Sequence, residues 1–206
     1  QWWLSGQTMG RYVEFSVPEM NGTTGPTESG PTELGQLNRG EQMRAVRLHE
    51  LGGIEALQLE DVEPSQLQPG QVRIEVHAAG CNFADTLQIQ GLYQTKPPLP
   101  FTPGLEVAGE VIEVADGVTT VAVGERVMGW VPWGGYATQA VMSDWAAIPI
   151  PYGMDFVTAA AFPIAYGTAF GALSQRRVAL TEGETLLVHG AAGGVGLAAV
   201  EIGKAM

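Results

Sequence analysis

The chain has 206 residues, of which 45% are hydrophobic and 16% are charged, a composition that supports a packed core and excludes a collagen, a coiled coil and a wholly disordered chain. Ten Lys and Arg against 22 Asp and Glu give a net charge of −12, which disfavours nucleic acid as a partner. No stretch is long and apolar enough to predict a membrane span. The single cysteine, Cys81, excludes an internal disulfide framework and a multi-cysteine zinc site, and we expect a cytoplasmic protein.

Residues 1–42 are predicted to be a disordered tail or linker. Residues 21–42 are rich in Gly, Thr, Pro and Glu and offer too little apolar surface to offset the entropy lost on ordering. Large apolar side chains lie upstream of them, between Trp2 and Phe15. This upstream stretch is interpreted either as the end of another domain or as a short arm that docks elsewhere.

From Met43 onwards the hydrophobic pattern predicts β-strands. Apolar residues alternate with polar ones, or form short apolar runs, and Gly or Pro turns separate these segments. Strands are predicted at 43–48, 57–62, 72–78, 107–115, 125–131, 136–141 and 146–149. Many short strands joined by such turns indicate a small barrel or sandwich.

After Pro151 the pattern changes to helix. The Ala-rich stretch 155–173 predicts buried helices that break near Pro163 and Gly167. The continuous apolar run 185–189 predicts a parallel strand that is covered on both faces. A glycine-rich loop and a helix at 197–206 follow it, and strand, glycine loop and helix form the first unit of a dinucleotide-binding fold.

The glycine loop itself reads AAGGVG over residues 191–196. Gly193 would let the backbone approach a pyrophosphate, Gly196 would let the helix pack closely, and the helix N-terminus would supply N–H donors. The alternative is a tight turn that binds no ligand. The residue that separates NAD from NADP is expected about 20 positions further on, beyond Met206.

Six segments in order, at 43–53, 78–93, 98–111, 124–130, 134–139 and 186–205, carry a resemblance to a known family. They include AAGCNFADTLQIQGLY, PLPFTPGLEVAGEV and LLVHGAAGGVGLAAVEIGKA. Over residues 43–206 the chain resembles the zinc-free medium-chain dehydrogenase/reductases of the quinone oxidoreductase (zeta-crystallin-like) group. The resemblance implies an α/β plus β fold, in which a GroES-like β-barrel catalytic domain at 43–166 precedes the incomplete start of a Rossmann domain at 167–206.

The resemblance also implies a set of site residues. Asn82, Asp85 and Tyr93 would be catalytic: the amide would donate to a substrate oxygen, and the phenol would donate a hydrogen bond or relay a proton. The implied cofactor-binding residues are Tyr166, Thr168, Gly193, Gly194, Val195 and Gly196. Each catalytic candidate also has a structural alternative, in which Asn82 satisfies a turn, Asp85 caps a helix and Tyr93 belongs to the core.

No metal is expected, because zinc-dependent relatives place a Cys at the position of Asn82, a His at Leu105 and a third ligand near Ala165, and these residues are not typical zinc ligands. The family implies NADPH as cofactor, and hydride transfer to a small quinone or enone. Alternatives are an enoyl reductase module of a multidomain enzyme and a non-catalytic member of the same fold. We expect the full-length protein to be a homodimer and the 206-residue chain to be inactive alone.

Overall fold

The structure is a computed structural model, and it describes residues 12–14, 42–174 and 179–206. The strands are β1 (Tyr12–Glu14), β2 (Met43–Leu48), β3 (Leu57–Val62), β4 (Gln71–Gly80), β5 (Glu106–Val114), β6 (Arg126–Trp130), β7 (Gln139–Ser143) and β8 (Ala147–Pro149). The α-helices are α1 (Phe83–Ile89), α2 (Phe156–Ala160), α3 (Phe162–Leu173) and α4 (Gly194–Ala205). All seven strands predicted between residues 43 and 149 are present, and β2 and β3 have the predicted bounds.

The ten-residue strand β4 organises the larger antiparallel sheet. It pairs with β5 along one edge, and β1 and β7 share its other edge, at opposite ends. Beyond β5 the order continues through β6 to β8. The second sheet is the β2–β3 hairpin. Its strand β2 bonds to a loop of the larger sheet through Val46 N and Tyr136 O at 2.8 Å, so the hairpin extends the curled sheet into a partial barrel.

Period-2 patterning explains how β4 sits in the sheet. Val72, Ile74 and Val76 are buried in the core, whereas Glu75 and His77 are exposed, as the alternation predicts. Each such buried side chain contributes about 1.5–3 kcal/mol relative to an exposed one. Arg73 departs from the alternation: it is buried, and its guanidinium donates to Glu113 and to the Ser65 carbonyl. The pattern ends at Ala78–Gly80, where small residues are buried on both faces and leave room for the elements described below.

The Ala-rich segment forms two helices, α2 and α3. The chain breaks at Ala161, and Pro163 lies in the first turn of α3, where its missing N–H costs little. The predicted break near Gly167 is wrong, because α3 continues through that residue. Helix α3 runs across the predicted domain boundary between residues 166 and 167. The position of that boundary stays a prediction.

The predicted strand at 185–189 is wrong. No strand is formed by these residues, and Leu187 is 78% exposed. A β-ladder needs a neighbouring strand, and within residues 42–174 and 179–206 none pairs with this segment. The helix that follows begins at Gly194, three residues before its predicted start.

The predicted tail at 1–42 lies outside the described residues except for Gln42 and for Tyr12–Glu14. Those three residues form β1 on Ala78–Gly80 of β4. The disorder of 1–42 and both interpretations of its upstream stretch stay predictions. Among the helices of the described ranges, none is long and apolar enough to cross a bilayer.

Candidate active site

Asn82 lies where β4 gives way to α1, as the N-cap residue in extended conformation. Its backbone N–H donates to Oδ2 of Asp85 at 2.7 Å, while the Asp85 N–H donates to the Asn82 carbonyl at 3.0 Å. A carboxylate in the first turn stabilises the start of a helix. The structure therefore brings these two predicted residues together and shows Asp85 capping α1, while its catalytic role stays a prediction.

A second carboxylate, which the sequence analysis missed, holds the Asn82 side chain. Asn82 Nδ2 donates to Oε1 of Glu106 at 2.8 Å. The other oxygen, Oε2, accepts from the backbone N–H of Ile164 at 2.8 Å. Glu106 is only 3% exposed. The available signal was an acidic residue within an apolar strand, since such residues are almost never buried without partners.

Tyr136 completes this hydrogen-bonded group and was also missed. Its hydroxyl donates to Oδ2 of Asp85 at 2.7 Å, and it lies 3.4 Å from the Gly80 carbonyl. Asp85 is 6% exposed. Tyr136 follows Gly134 and Gly135 in a loop, and only the curl of the sheet brings it beside α1.

Burial controls the electrostatics of this group. It raises the pKa of Asp85, against the hydrogen bonds from Tyr136 and Asn82. It also raises the pKa of Glu106, against the bonds from Asn82 and Ile164, and the nearby Asp85 charge adds to the rise. Burial and then Asp85 raise the pKa of Tyr136, which keeps the phenol protonated as a donor.

Cys81 precedes this group and is half-buried. Burial raises the pKa of its thiol, opposed by Tyr136 and reinforced by the charges of Asp85 and Glu106. A thiol needs a lowered pKa to act as a nucleophile. The environment of Cys81 therefore favours a packing role over a nucleophilic one.

The other predicted side chains lie apart from this group. Tyr93 is half-buried in the loop after α1, and among the described residues its hydroxyl has no hydrogen-bond partner. Tyr166 stacks on Phe162 at a ring-centroid distance of 4.2 Å and donates to Oε2 of Glu201, a bond that raises the pKa of the phenol. Thr168 is exposed on α3. The Tyr166–Glu201 contact links α3 to α4.

The glycine loop leaves the first turn of α4 open. Gly193 is the N-cap residue of α4 and has no side chain to cap the helix. A Cβ added to Gly194 would meet nothing within 4 Å. A Cβ added to Gly196 would lie 2.2 Å from the Gly190 carbonyl oxygen, so Gly196 permits the close approach of helix and loop. Free N–H donors and open space at the N-terminus of a helix fit a dinucleotide pyrophosphate.

The positions that correspond to zinc ligands, Asn82, Leu105 and Ala165, carry none of the side chains that zinc typically binds. Leu105 is 2% exposed and belongs to the core, and Ala165 lies on α3. Over the ranges that the structure describes, no three His, Cys, Asp or Glu side chains are arranged to hold a metal ion. The absence of zinc from the protein stays a prediction.

Comparisons with known proteins agree with this geometry. Residues 68–152 match the alcohol dehydrogenase GroES-like domain family. The chain is 46% identical over 163 residues to the quinone oxidoreductase of Rattus norvegicus, covering 78% of this chain and 49% of that protein. The chain is a quinone oxidoreductase-like protein that carries the alcohol dehydrogenase GroES-like domain.

Solved structures of medium-chain dehydrogenase/reductases share the fold. The quinone oxidoreductase of Thermus thermophilus, solved also as a complex with NADPH, matches with a TM-score of 0.68 and 39% identity, over 79% of this chain and 50% of that one. CurK enoyl reductase matches with a TM-score of 0.72 and 32% identity, over 80% and 52%. The predicted GroES-like fold is confirmed, and the chain spans about half the length of the curated relatives that it matches.

Proposed function

We propose that the complete protein containing this chain is an NAD(P)H-dependent oxidoreductase that reduces a small quinone or enone without zinc, with NADPH preferred. The observation that carries the proposal is the Asn82 carboxamide, half-buried and anchored through Nδ2 to Glu106 at 2.8 Å. Because an amide nitrogen has two protons, this anchor leaves one proton free for a substrate oxygen. The curated quinone oxidoreductases, and the solved one whose complex contains NADPH, support the same reaction class.

Each part of the proposed mechanism is assigned to residues of this chain. The N–H groups of Gly194, Val195 and Gly196 would bind the pyrophosphate, and Tyr166 and Thr168 would face the nicotinamide end. A bound nicotinamide dinucleotide supplies the hydride. The free N–H of Asn82 would stabilise the negative charge that develops on the substrate oxygen, and Tyr93 would relay the proton that completes the reduction. Glu106 would hold Asn82, and Asp85, which also bonds to Asn82, keeps its predicted place in the catalytic group.

The cofactor is tested first, by titrating the complete protein with NADPH and with NADH and following cofactor fluorescence. A saturable change with a lower Kd for NADPH is expected. No change with either cofactor would refute the proposal. Metal analysis of the same sample is expected to find no stoichiometric zinc, and one zinc per chain would contradict the zinc-free chemistry.

Turnover tests the role of Asn82. Asn82→Asp keeps the shape of the side chain and removes its N–H donors, so kcat with a benzoquinone is expected to fall about 10²- to 10³-fold. Gln90→Glu, an amide-to-acid change at the exposed C-cap of α1, is the matched control and should keep the wild-type rate. Equal rates for Asn82→Asp and the control would exclude the proposed donor.

A second candidate is an enoyl reductase, favoured by the 32% identity to CurK enoyl reductase. An α,β-unsaturated thioester also develops negative charge on its carbonyl oxygen, so the same Asn82 donor would serve it. Comparing kcat/KM for a benzoquinone, an enone and an enoyl thioester separates the two candidates. We also propose a homodimer, which sedimentation of the complete protein would test.

A further inference from the structure

The side chain of Glu106 joins two elements that are distant in sequence. Oε1 accepts from Asn82 Nδ2 and Oε2 accepts from Ile164 N, both at 2.8 Å. Both partners are donors, so an ionised carboxylate satisfies both ends at once. With 3% exposure, Glu106 has almost no access to water that would replace either bond.

A glycine in the neighbouring strand leaves space for the Glu106 carboxylate. Gly80 is paired with Glu106 across β4 and β5, and a Cβ on Gly80 would lie 2.2 Å from Glu106 Oε1. The glycine therefore provides the space in which the carboxylate lies. At its other end the carboxylate supplies a hydrogen-bond acceptor to the first turn of α3. The first-turn N–H groups of a helix need acceptors, and the N-cap residue Ala161 provides no side-chain cap.

We propose that Glu106 is a positioning residue that couples the Asn82 carboxamide to the first turn of α3. The same helix carries Tyr166 and Thr168, the residues proposed for the nicotinamide end of the cofactor. Glu106 would thus set the position of the substrate-side donor relative to the cofactor-side helix. The kinetic consequence rests on the proposed function, whereas the coupling itself does not.

Glu106→Gln breaks the link selectively. A carboxamide has one acceptor oxygen, so its nitrogen must face either Ile164 N or Asn82. The Ile164 bond is then lost, or the Asn82 carboxamide must turn over to accept, which moves its Nδ2 away from its present position. Glu110→Gln is the matched control, since it makes the same change in the same strand at a partly exposed position. Gly80→Ala is a second route, because it displaces the carboxylate without removing it.

NMR and hydrogen exchange test the coupling without any assay of activity. Asn labelling with ¹⁵N gives three side-chain amides in this chain, from Asn21, Asn38 and Asn82, and Asn82→Ala assigns the third. We expect the hydrogen-bonded Asn82 proton to shift, or the Ile164 amide to lose protection at least tenfold, in Glu106→Gln but not in Glu110→Gln. Unchanged Asn82 protons and Ile164 protection in Glu106→Gln would overturn the proposal; if that variant does not fold, the same measurements on Gly80→Ala decide.

A double-mutant cycle in the complete protein tests the catalytic consequence. Glu106→Gln is expected to lower kcat about 10- to 100-fold, with little further loss in the Asn82→Ala background, because Glu106 acts through Asn82. A structural role alone would give multiplicative losses in the double variant, and that result would refute positioning of Asn82. A wild type that shows no turnover refutes the proposed function instead, and the NMR result then still decides the coupling.

Discussion

Gly196 offers the sharpest test of how the glycine loop packs. Gly194 and Gly196 both lie in the first turn of α4, so replacing either by Ala brings a similar gain in helix propensity. Their surroundings differ. A Cβ on Gly194 would meet nothing within 4 Å, whereas one on Gly196 would lie 2.2 Å from Gly190 O and 2.8 Å from the Ala191 Cα.

The two substitutions are therefore expected to act with opposite sign. Ala at 194 should stabilise the chain by up to about 0.5–1 kcal/mol through helix propensity. Ala at 196 places its methyl group well inside the shortest ordinary contact distance of 3.4 Å, against backbone that has no rotamer to change. Overpacking of this kind costs about 1–3 kcal/mol, so the two variants should differ by about 2 kcal/mol, or about 4–8 °C in Tm.

Urea unfolding followed by circular dichroism gives the difference in free energy of unfolding, and hydrogen exchange of the α4 amides gives the local effect. Gly196→Ala should lower the urea midpoint and the protection of α4, and Gly194→Ala should lower neither. If Gly196→Ala unfolds at or above the midpoint of Gly194→Ala, the close approach of α4 to Gly190 is refuted.

Three further predictions concern the sheet and the buried acids. Tyr136→Phe removes a donor from the buried Asp85 and should cost about 1–3 kcal/mol in guanidinium unfolding, whereas Tyr152→Phe, at a fully exposed residue, should cost nothing measurable. Gly109→Ala would place a Cβ 1.8 Å from Glu75 O across β4 and β5, so loss of the native near-UV spectrum is expected, and a native spectrum would contradict this register. Burial raises the pKa of Asp85 above 3.8 in the folded chain. The stability that this shift contributes is therefore complete below pH 3.8 and is lost as pH rises through the raised pKa. Asp85→Asn should flatten the fall in unfolding free energy above about pH 4, and an unchanged slope would contradict the raised pKa.

Local patterns predicted most of the fold correctly. The predicted bounds of β2 and β3 are correct to the residue, because the apolar residues of a strand and the turn residues that flank it are properties of neighbouring positions. The run at 185–189 shows the limit of the same reasoning. Its apolar residues indicate burial on both faces, but a parallel strand exists only beside another strand, and the run itself contains no information about that partner.

In the candidate site, too, some residues follow from local sequence and others only from the packed fold. The sequence by itself determined the glycine loop and the family resemblance, since these depend on residue types at short spacing, and the resemblance implied the candidates Asn82 and Asp85. Only the tertiary structure decided that Glu106 and Tyr136 complete the group, and that Glu106 joins Asn82 to α3. Glu106 is 24 residues from Asn82 and 58 from Ile164. Contacts over such separations follow from the register of β4 on β5 and the curl of the sheet, which arise only when the whole core packs.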